Sequence, residues 1–424
     1  MKIELLYELF LKYPTISTDT RKISRNCLFF ALKGPNFNGN TFAQQALDSG
    51  AAYAIIDEEE YLLNDRCILV EDVLKTLQLL GTHHRLQSKA TIIALTGSNG
   101  KTTTKELINA VLSQKHKTIA TRGNLNNHIG VPLTLLSIQE DTEMAIVEMG
   151  ANHQKEIAFL SSMAQPDHGY ITNFGKAHLE GFGSFEGVIR GKSELYDHLM
   201  THGKHIFWNA DDPIQVEKLQ DHKLKTGFST DNTRYECISF LGADPSVSLE
   251  VKGETLVTQL PGAYNFPNCA IAVLMGMHFG VPLSDIKKGI EGYHPENNRS
   301  QIIDKNGLRI MLDAYNANPS SMKAALEAFD QIPGAPKTVL LGDMFELGES
   351  AAKEHQIVST MAEKMPFQDC FLVGTQFYDT DTSCKKFRSF ESFQEYLNKN
   401  PIKKGSLLIK GSRGMALERV LDQL

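Results

Sequence analysis

The sequence predicts an α/β protein of three domains, at residues 1–86, 87–296 and 297–424. The chain has 424 residues, whereas a single hydrophobic core rarely grows beyond about 250 to 300 residues. From about residue 88 onward, short apolar runs alternate with helical patterns, which is typical of a largely parallel sheet covered by helices. A third α/β pattern begins after the Pro- and Asn-rich segment 294–298.

Composition and charge narrow the class of protein. Hydrophobic residues make up 42% and charged residues 22% of the chain, which is typical of a globular protein and excludes wholesale disorder. The net charge of −7 argues against a protein whose main role is to bind nucleic acid. The scattered cysteines form no C-x-x-C pair, which excludes a zinc finger and favours reduced core thiols over a disulfide framework. They are Cys27, Cys67, Cys237, Cys269, Cys370 and Cys384.

No targeting or membrane segment is expected. Charged side chains interrupt residues 1–12, which predict a short amphipathic helix rather than a signal peptide. The longest apolar run, 269–283, contains His278 and Pro282 and is shorter than the ~18 residues that span a bilayer. We therefore expect a soluble cytoplasmic protein without a membrane partner.

Short apolar runs bounded by turn residues predict the strands of each domain. The predicted strands are 27–32 and 52–56; 91–95, 144–148, 168–172 and 205–208; and 308–313, 337–341, 370–373 and 406–410. A helix is predicted at 41–48, and a helical run is expected after each strand of the third domain. The pair 246–251 and 254–260, which turns at Lys252-Gly253, predicts an antiparallel addition to the middle sheet.

The sharpest motif is Thr96–Thr103, TGSNGKTT, between the strand 91–95 and a helix. In such a loop, N–H groups at the helix N-terminus bind an anion, a lysine contacts the outer phosphates, and the next hydroxyl binds Mg²⁺. The loop is shorter than a standard P-loop, because Leu95 stands where the first glycine would be. The alternative is an ordinary glycine turn that caps a helix, but the flanking strand and helix favour phosphate binding. The predicted nucleotide-binding residues are Gly97, Ser98, Asn99, Gly100, Lys101, Thr102 and Thr103.

Two residues outside the loop are candidates for the same site, and a third has no such signal of its own. Glu148 ends the strand 144–148 and would lie in the same crevice if the two strands are neighbours, where it could bind Mg²⁺ directly or through water. His178 follows the strand 168–172, and from the residues alone a surface histidine and a functional one are equally supported. Lys192 is expected at a helix start, and composition alone favours a solvated lysine there.

These motifs resemble the Mur ligases, which are ATP-dependent enzymes that build the peptidoglycan stem peptide. Five segments occur in the order seen in that family, and the resemblance covers all three domains. They are Thr96–Thr103, Gly123–Pro132, Glu148, Thr172–His178 and Gly191–Glu194. Two positions depart from the family pattern. Asn38-Gly39-Asn40 replaces the usual Asp-Gly-His, which puts uridine contacts in doubt, and Gly191 replaces a commoner alanine, which is expected to matter little.

Within the family, the chain most resembles the member that joins D-alanyl-D-alanine to UDP-N-acetylmuramoyl-tripeptide. The segments that carry this are Asp19–Arg21 with Phe29–Gly34, Thr172–Glu180, Asp313–Ser321 and Leu341–Gly348. The Asp-Asn-Pro-Arg-type motif expected of the sister ligase that adds the third amino acid does not occur in the third domain.

The resemblance implies an N-terminal UDP-sugar domain, a central P-loop ATPase domain with a parallel sheet, and a Rossmann-like C-terminal domain for the dipeptide. It implies that ATP phosphorylates the tripeptide carboxylate and that the dipeptide amine attacks the acyl phosphate, which gives the pentapeptide, ADP and phosphate. ATP and Mg²⁺ are the implied cofactors, and a monomer is expected.

The resemblance also assigns roles to residues. The implied catalytic residues are Lys101, Glu148, His178 and Lys192, with Lys192 carbamylated; Thr102, Glu148, His178 and Lys192 form the implied metal set. Asn268 is implied at adenine, Arg299 at the phosphates and Asp313 at the ribose; the alternatives are a helix cap, a solvated linker arginine and a turn residue. The implied UDP-sugar residues are Asp19, Thr20, Arg21, Lys33 and Gly34, and the dipeptide residues are Asn316, Asn318, Ser320, Lys410 and Arg413.

Several alternatives stay open from the sequence. One is a sister amide ligase for a single amino acid, or a folylpolyglutamate synthase-type ligase. Another is a P-loop switch or ATPase that regulates a partner. A third is a catalytically dead scaffold, which the intact set of Lys101, Glu148, His178 and Lys192 argues against.

Overall fold

The structure is a computed structural model that describes residues 2–296, 298–334 and 336–424. Three parallel or mainly parallel sheets lie in order along the chain, and each is covered by helices. The α/β class is therefore confirmed. Residue 297, where the third domain is predicted to begin, lies outside the described residues, and the domain boundaries stay predictions.

The N-terminal part is a four-stranded parallel sheet with strand order β1-β2-β5-β6. Its elements are α1 (Ile3–Lys12), β1 (Ile16–Ser17), β2 (Leu28–Phe30), β3 (Lys33–Gly34), β4 (Phe37–Asn38), α2 (Ala43–Asp48), β5 (Tyr53–Ile56), β6 (Cys67–Leu69) and α3 (Val73–Gln87). Helix α3 begins where the Asp72 carboxylate accepts a hydrogen bond from the N–H of Lys75. Leu77 and Leu80 of α3 share one apolar core with Leu136, so this helix joins the first sheet to the middle of the chain.

The middle part is a seven-stranded parallel sheet with strand order β13-β12-β11-β10-β7-β9-β8. Its elements are β7 (Thr91–Thr96), α4 (Lys101–Leu112), β8 (Thr118–Ala120), α5 (Gly130–Leu135), β9 (Met144–Glu148), α6 (Glu156–Ala164), β10 (His168–Ile171), α7 (Leu179–Phe182), α8 (Phe185–Thr201), β11 (His205–Asn209), α9 (Pro213–Lys218), β12 (Lys225–Ser229), β13 (Glu236–Cys237), β14 (Ser239–Gly242), β15 (Ser248–Val251), β16 (Glu254–Val257), α10 (Phe266–His278) and α11 (Leu283–Glu291). Strand β7 lies between β9 and β10. The loops that follow these three strands therefore meet at one edge of the sheet.

The predicted hairpin forms, but its place in the fold differs from the prediction. Strands β15 and β16 pair antiparallel around Lys252-Gly253. Together with β14 they make a separate three-stranded sheet instead of extending the parallel one. The reason is packing: Leu249, Val251 and Leu256 belong to the same core as the apolar side chains of α10, so the hairpin covers a helix.

The C-terminal part is a six-stranded sheet with strand order β17-β18-β22-β19-β20-β21, in which only the pairing of β17 with β18 is antiparallel. Its elements are β17 (Gln301–Lys305), β18 (Leu308–Asp313), α12 (Pro319–Gln331), β19 (Lys337–Gly342), α13 (Ala351–Lys364), β20 (Asp369–Val373), α14 (Thr375–Tyr378), β21 (Lys385–Phe387), α15 (Phe390–Lys399) and β22 (Gly405–Lys410). Asp313 ends the second strand of this sheet in chain order. The sequence predicted it at the end of the first strand, because β17 was missed. The run after β22 is 3₁₀-helical, at Arg413–Met415 and Leu417–Gln423, rather than α-helical.

None of the described helices is both long and apolar enough to cross a membrane. All six cysteines are free thiols.

Candidate functional site

The predicted phosphate loop joins the end of β7 to the start of α4. Gly97 and Gly100 have φ values of 144° and 78°, in the region that only glycine adopts readily. A Cβ at Gly97 would lie 1.9 Å from Oγ1 of Thr172, and one at Gly100 would lie 2.7 Å from Oδ1 of Asn268. Both glycines are thus required by conformation and by close approach of neighbouring side chains.

Lys101 is the first residue of α4 and is half-buried. Its Nζ donates to the carbonyl oxygen of Gly97 at 2.8 Å. Burial lowers the pKa of this ammonium, the nearby charge of Arg299 lowers it further, and the carboxylate of Glu148 opposes both effects. An anion in the loop would relieve this crowding of positive charge.

Glu148 lies beside the loop, as its place at the end of β9 predicts. The side chain is 1% exposed. Its Oε2 accepts a hydrogen bond from Oγ1 of Thr102 at 2.9 Å, and its Oε1 accepts one from Nδ2 of Asn126 at 2.7 Å. Sequence reasoning did not single out Asn126, although it lies in the Gly123–Pro132 segment of the family resemblance. The three side chains place oxygen atoms at the N-terminus of α4.

The loop after β10 holds the phosphate loop from the other side. Oγ1 of Thr172 donates to the carbonyl oxygen of Asn99 at 2.6 Å, and the N–H of Asn99 donates to Oδ1 of Asn173 at 3.1 Å. Oγ of Ser98 donates to the carbonyl oxygen of Gly175 at 2.9 Å. These bonds fix the loop conformation without using the N–H groups at the start of α4.

The third domain contacts the phosphate loop directly. Nδ2 of Asn318 donates to Oδ1 of Asn99 at 2.7 Å. The other end of the same amide accepts from the N–H of Ser321 and caps α12. Nearby, the N–H of Lys176 donates to Oγ of Ser320, and its Nζ pairs with Glu354 at 2.6 Å. The two domains therefore meet at the loop itself.

Arg299 and Asp313 both lie on the third-domain wall of this cleft. The Arg299 guanidinium lies 3.7 Å from the centre of the Tyr315 ring, and its buried Nε has no hydrogen-bond partner among the described residues. Asp313 pairs with Lys410, which is 1% exposed and lies opposite it in the β18–β22 register. Both side chains therefore have defined contacts at the cleft, and their roles stay predictions.

His178 is the N-cap residue of α7 and has the left-handed conformation, with φ at 51°. Its Nδ1 lies 2.6 Å from Oε2 of Glu346, and this contact lowers the pKa of the Glu346 carboxyl. The histidine is therefore an inter-domain contact as well as a residue of the cleft wall.

Lys192 lies in the middle of α8, so the prediction that it begins a helix is wrong. It is 0% exposed, and its Nζ donates to the carbonyl oxygen of Ala151 at 3.0 Å. Burial holds its pKa well below the usual range, and Lys101 adds to this, while Glu156 and Glu194 oppose it. The side chain lies against the Phe182 ring, 5.0 Å from Nζ to its centre.

Gly191 makes room for that ring, since a Cβ there would lie 2.4 Å from Cε1 of Phe182. The absence of the commoner alanine therefore has a structural consequence beside Lys192, which the sequence did not suggest.

Asn268 faces the phosphate loop from the first turn of α10. Its Oδ1 accepts from Oγ1 of Thr104 at 3.0 Å, and its Nδ2 donates to Oδ1 of Asn265 at 3.0 Å. The helix-cap alternative is wrong, because the N-cap position belongs to Asn265 and no side-chain cap is formed there.

One cleft of about 890 Å³ runs between the middle and third domains. The predicted site residues that line it are Ser98, Asn99, Gly100, Lys101, Thr102, Thr103, Glu148, His178, Asn268, Arg299, Asp313, Asn316, Asn318, Ser320 and Lys410. Residues that line it but were not predicted include Asn126, Asn173, Tyr264, Asn265 and Tyr315.

The other predicted residues are not among the described lining residues. Gly97 precedes the lining residue Ser98, and Nζ of Lys192 donates to the carbonyl oxygen of the lining residue Ala151. Arg413 is exposed and pairs with Glu418 at 2.7 Å, so its role with a dipeptide stays a prediction.

The predicted UDP-sugar residues, Asp19, Thr20, Arg21, Lys33 and Gly34, lie in the first domain and also do not line the cleft. Arg21 binds the Asp19 carboxylate through two side-chain hydrogen bonds, which lower the pKa of Asp19 to about 2. Lys33 pairs with Asp57 at 3.0 Å. Both cations are thus partnered, and their contacts with a sugar nucleotide stay predictions.

All three parts of the chain match domains of one known family. Residues 12–85 match the Mur ligase family catalytic domain, 95–276 the Mur ligase middle domain, and 298–400 the Mur ligase glutamate ligase domain. The UDP-N-acetylmuramoyl-tripeptide–D-alanyl-D-alanine ligase of Bacillus subtilis strain 168 is 33% identical over 425 residues, which is 96% of this chain and 92% of that protein. This chain belongs to the Mur ligase family.

Solved structures give the same result for the fold of this Mur ligase. MurF from Acinetobacter baumannii superposes with a TM-score of 0.85 at 31% identity, over 97% of this chain and 93% of that one. MurF from Thermotoga maritima, solved in complex with ADP, gives a TM-score of 0.84 at 25% identity and covers 97% of each chain. The ligase of the same name from Escherichia coli K12 is 32% identical over 96% of this chain and 93% of that protein. The family resemblance is confirmed.

The approach of Gly97 to Thr172 predicts a measurable coupling. Gly97→Ala adds backbone strain of about 1–3 kcal/mol and a steric clash of similar size with Thr172. Adding Thr172→Ala should recover part of the loss, so the two changes are not additive. Urea unfolding followed by the fluorescence of Trp208, the single tryptophan and part of the middle sheet, measures each variant.

Gly123→Ala is the matched control, because Gly123 has φ 56° and nothing lies within 4 Å of the place that an added methyl group would take. It should show strain of about 1 kcal/mol without a clash. Equal losses for Gly97→Ala and Gly123→Ala, with no recovery in the double variant, would contradict the close approach.

Proposed function

We propose that this Mur ligase joins D-alanyl-D-alanine to UDP-N-acetylmuramoyl-tripeptide and that the reaction consumes ATP. The products are UDP-N-acetylmuramoyl-pentapeptide, ADP and phosphate. The relatives that carry this activity in their names align along nearly the whole chain. The observation that carries the proposal is the single cleft in which the phosphate loop and Glu148 face Arg299, Asp313 and the 315–320 loop.

ATP fits the cleft at the phosphate loop. The two glycines leave the N–H groups at the start of α4 free for phosphate oxygens, and Lys101 and Arg299 add two cations. The unpartnered Nε of Arg299 supports a phosphate contact. Asn268 lies against Gly100, which supports an adenine contact. Asp313 lies on the third-domain wall of the cleft, which supports a ribose contact.

Mg²⁺ fits the residues beside the loop. Thr102 and Glu148 present a hydroxyl and a buried carboxylate 2.9 Å apart, and oxygen is the donor that Mg²⁺ prefers. Thr102, Glu148, His178 and Lys192 as a carbamate are the proposed metal region. When bound, Mg²⁺ supplies positive charge that neutralises the phosphates and polarises the transferring phosphoryl group.

The residues of this chain act by position and charge. The tripeptide carboxylate is an anion and a poor electrophile, so its approach to ATP needs positive charge aimed at the phosphoryl group. Lys101 supplies such charge at the loop. The carboxylate oxygen then forms a bond to the γ-phosphorus as the bond to the β-phosphate oxygen breaks. The dipeptide amine next attacks the acyl carbon, phosphate leaves, and the amine loses a proton.

The dipeptide fits the third-domain wall. Asn316 and Ser320 line the cleft close to the contact between Asn318 and the phosphate loop. Lys410 is largely committed to Asp313, so we propose that it positions that carboxylate in addition to any contact with the dipeptide. The domains touch at Asn99 and Asn318. We propose that movement of the third domain about this contact brings the dipeptide to the phosphoryl group.

The UDP-sugar is proposed to bind the first domain near Lys33 and the loop 38–40. Asn40 is 0% exposed and bonds Asp57 through both ends of its amide. The departure from the usual Asp-Gly-His therefore places a structural residue in this loop. A cytoplasmic location is proposed as well, because ATP is available in that compartment and free cysteine thiols are typical of its proteins.

Lys192 is proposed to be carbamylated. Its pKa is lowered by burial, which favours the neutral amine. That amine adds to CO₂: an N–C bond forms and one proton is lost, so a neutral amine becomes an anionic carbamate. The product would suit a second metal ion near Glu148.

Phosphate release tests the proposed reaction. With ATP, Mg²⁺ and UDP-N-acetylmuramoyl-tripeptide, sustained release should require D-alanyl-D-alanine, because the acyl phosphate needs an amine to turn over. L-Lysine or diaminopimelate in place of the dipeptide is the control. Release supported by a single amino acid would favour a sister ligase, and release indifferent to the UDP-sugar would favour a regulatory ATPase.

Lys101→Ala should lower kcat by about 10²–10³-fold or more, because one charge that stabilises the phosphoryl transfer is lost. Circular dichroism and Trp208 fluorescence should stay close to wild type, since Nζ of this lysine contacts only the loop carbonyl oxygens of Gly97 and Ser98 among its described hydrogen-bond partners. Lys89→Ala, at an exposed position outside the cleft, is the control. Wild-type turnover of Lys101→Ala would remove the phosphate loop from the mechanism.

Carbamylation of Lys192 can be observed by carbon NMR after equilibration with ¹³C-bicarbonate. We expect one carbamate signal that is absent from Lys192→Arg. Lys105→Arg is the matched control, because Lys105 is equally buried but pairs with Glu106 at 2.8 Å. A signal that persists in Lys192→Arg would assign the carbamate elsewhere, and no signal in the wild type would refute it.

A further inference from the structure

Three histidines converge at the edge of the middle sheet that is opposite the phosphate loop. His168 begins β10 and His205 begins β11, and the two residues are direct partners in the parallel register. His278 is the last residue of α10. One ring nitrogen from each lies within 4.8 Å of the others, and no other such group of three ligating side chains occurs in the described parts of the chain.

Two ring nitrogens of this cluster have no protein partner. Nδ1 of His168 and Nδ1 of His205 are buried and make no hydrogen bond with any described residue. Buried polar atoms in native proteins are nearly always satisfied. Two orphaned nitrogens beside a third imidazole therefore point to a bound group that accepts lone pairs.

We propose that His168, His205 and His278 form a binding site for a divalent transition-metal ion, with Zn²⁺ as the best fit. Three imidazoles leave a fourth position for water in a tetrahedral site. The nitrogen donors also separate this site from the nucleotide site, because imidazole suits Zn²⁺ whereas Mg²⁺ prefers oxygen ligands.

The surroundings of His205 support this role. Its Nε2 lies 3.0 Å from Oγ1 of Thr226, so Nε2 can carry the proton and leave the Nδ1 lone pair free. Metal-binding histidines commonly fix their tautomer through such an outer hydrogen bond.

The walls and the entrance of the cluster also suit a metal ion. The rings of Phe207 and Phe279 pack against His168, with centroids 5.6 and 5.1 Å away. His278 is exposed, which gives an ion a path from solvent. Aromatic packing alone would account for the stacking, but it would not account for two polar atoms left buried without partners.

The position of the cluster gives it a structural consequence. Within helix α10, Asn268 lies at the phosphate loop and His278 lies ten residues further along, which is a rise of ~15 Å. An ion shared by His168, His205 and His278 would tie the far end of α10 to the two strands. Binding to the folded state alone should raise the unfolding midpoint with metal concentration.

Calorimetric titration of the untagged, chelator-treated protein with Zn²⁺ in excess Mg²⁺ tests the proposal, and Co²⁺ absorption reports the ligand geometry. We expect one tight site with the intense visible bands of tetrahedral Co²⁺, and a higher unfolding midpoint. His278→Gln should weaken the affinity by about 100-fold and abolish those bands, because one of three ligands is lost. This variant should fold normally, since His278 is exposed.

His202→Gln is the matched control, because His202 stacks on His198 in α8, 4.2 Å between ring centres, and is also exposed. It should bind Zn²⁺ like the wild type. Affinity unchanged in His278→Gln, or lost instead in His202→Gln, would overturn the assignment. No saturable Zn²⁺ binding by folded wild-type protein would overturn it as well.

Discussion

The site depends on the adjacency of three parallel strands, with β7 hydrogen-bonded to both β9 and β10. This order brings the loops after all three strands to one edge. Gly97 then passes so close to Thr172 that no side chain fits, while Glu148 from β9 reaches Thr102 on the other side. The polar contacts of the phosphate loop follow from that register, because a shift of one residue would turn Glu148 to the opposite face of the sheet.

The second domain alone does not complete the cleft. Asn318 uses one end of its amide to cap α12 and the other to contact Asn99. This side chain thus links a third-domain helix to the phosphate loop. Lys176 adds two further contacts across the same boundary. Apolar packing accompanies these polar contacts, because Leu179 of the middle part and Leu347 of the third part belong to one core.

The elements that local signals specify were predicted correctly. The phosphate loop, the strand 91–95 that precedes it and the strand that ends at Glu148 all have strong patterns, and each lies where it was expected. Strands such as β12 and β21 were missed, because KTGFS and KKF lack an apolar alternation and form by pairing with a neighbouring strand. The hairpin was placed in the wrong sheet because sequence alternation does not say which surface a strand covers.

The candidate site residues show the same contrast: those with a local sequence signal were predicted, and those that depend on tertiary contacts were missed. Lys101 and Glu148 were predicted from the loop and the strand end, whereas Asn126 was missed because its role depends on a contact with Glu148 across the sheet edge. Likewise, nothing in the spacing of His168, His205 and His278 suggests a cluster, since only the strand register and the length of α10 bring them together.

The two buried lysines of the middle domain show how burial and partner together decide chemistry. Lys105 and Lys192 are both 0% exposed and both lie on helices of the middle domain. Lys105 keeps a carboxylate partner, Glu106, and donates to the carbonyl oxygen of Thr121. Lys192 has the carbonyl oxygen of Ala151 and an aromatic ring, which compensate a buried cation less well than a carboxylate does. Burial therefore holds the pKa of Lys192 well below its usual range, which favours the neutral amine that the proposed carbamylation requires.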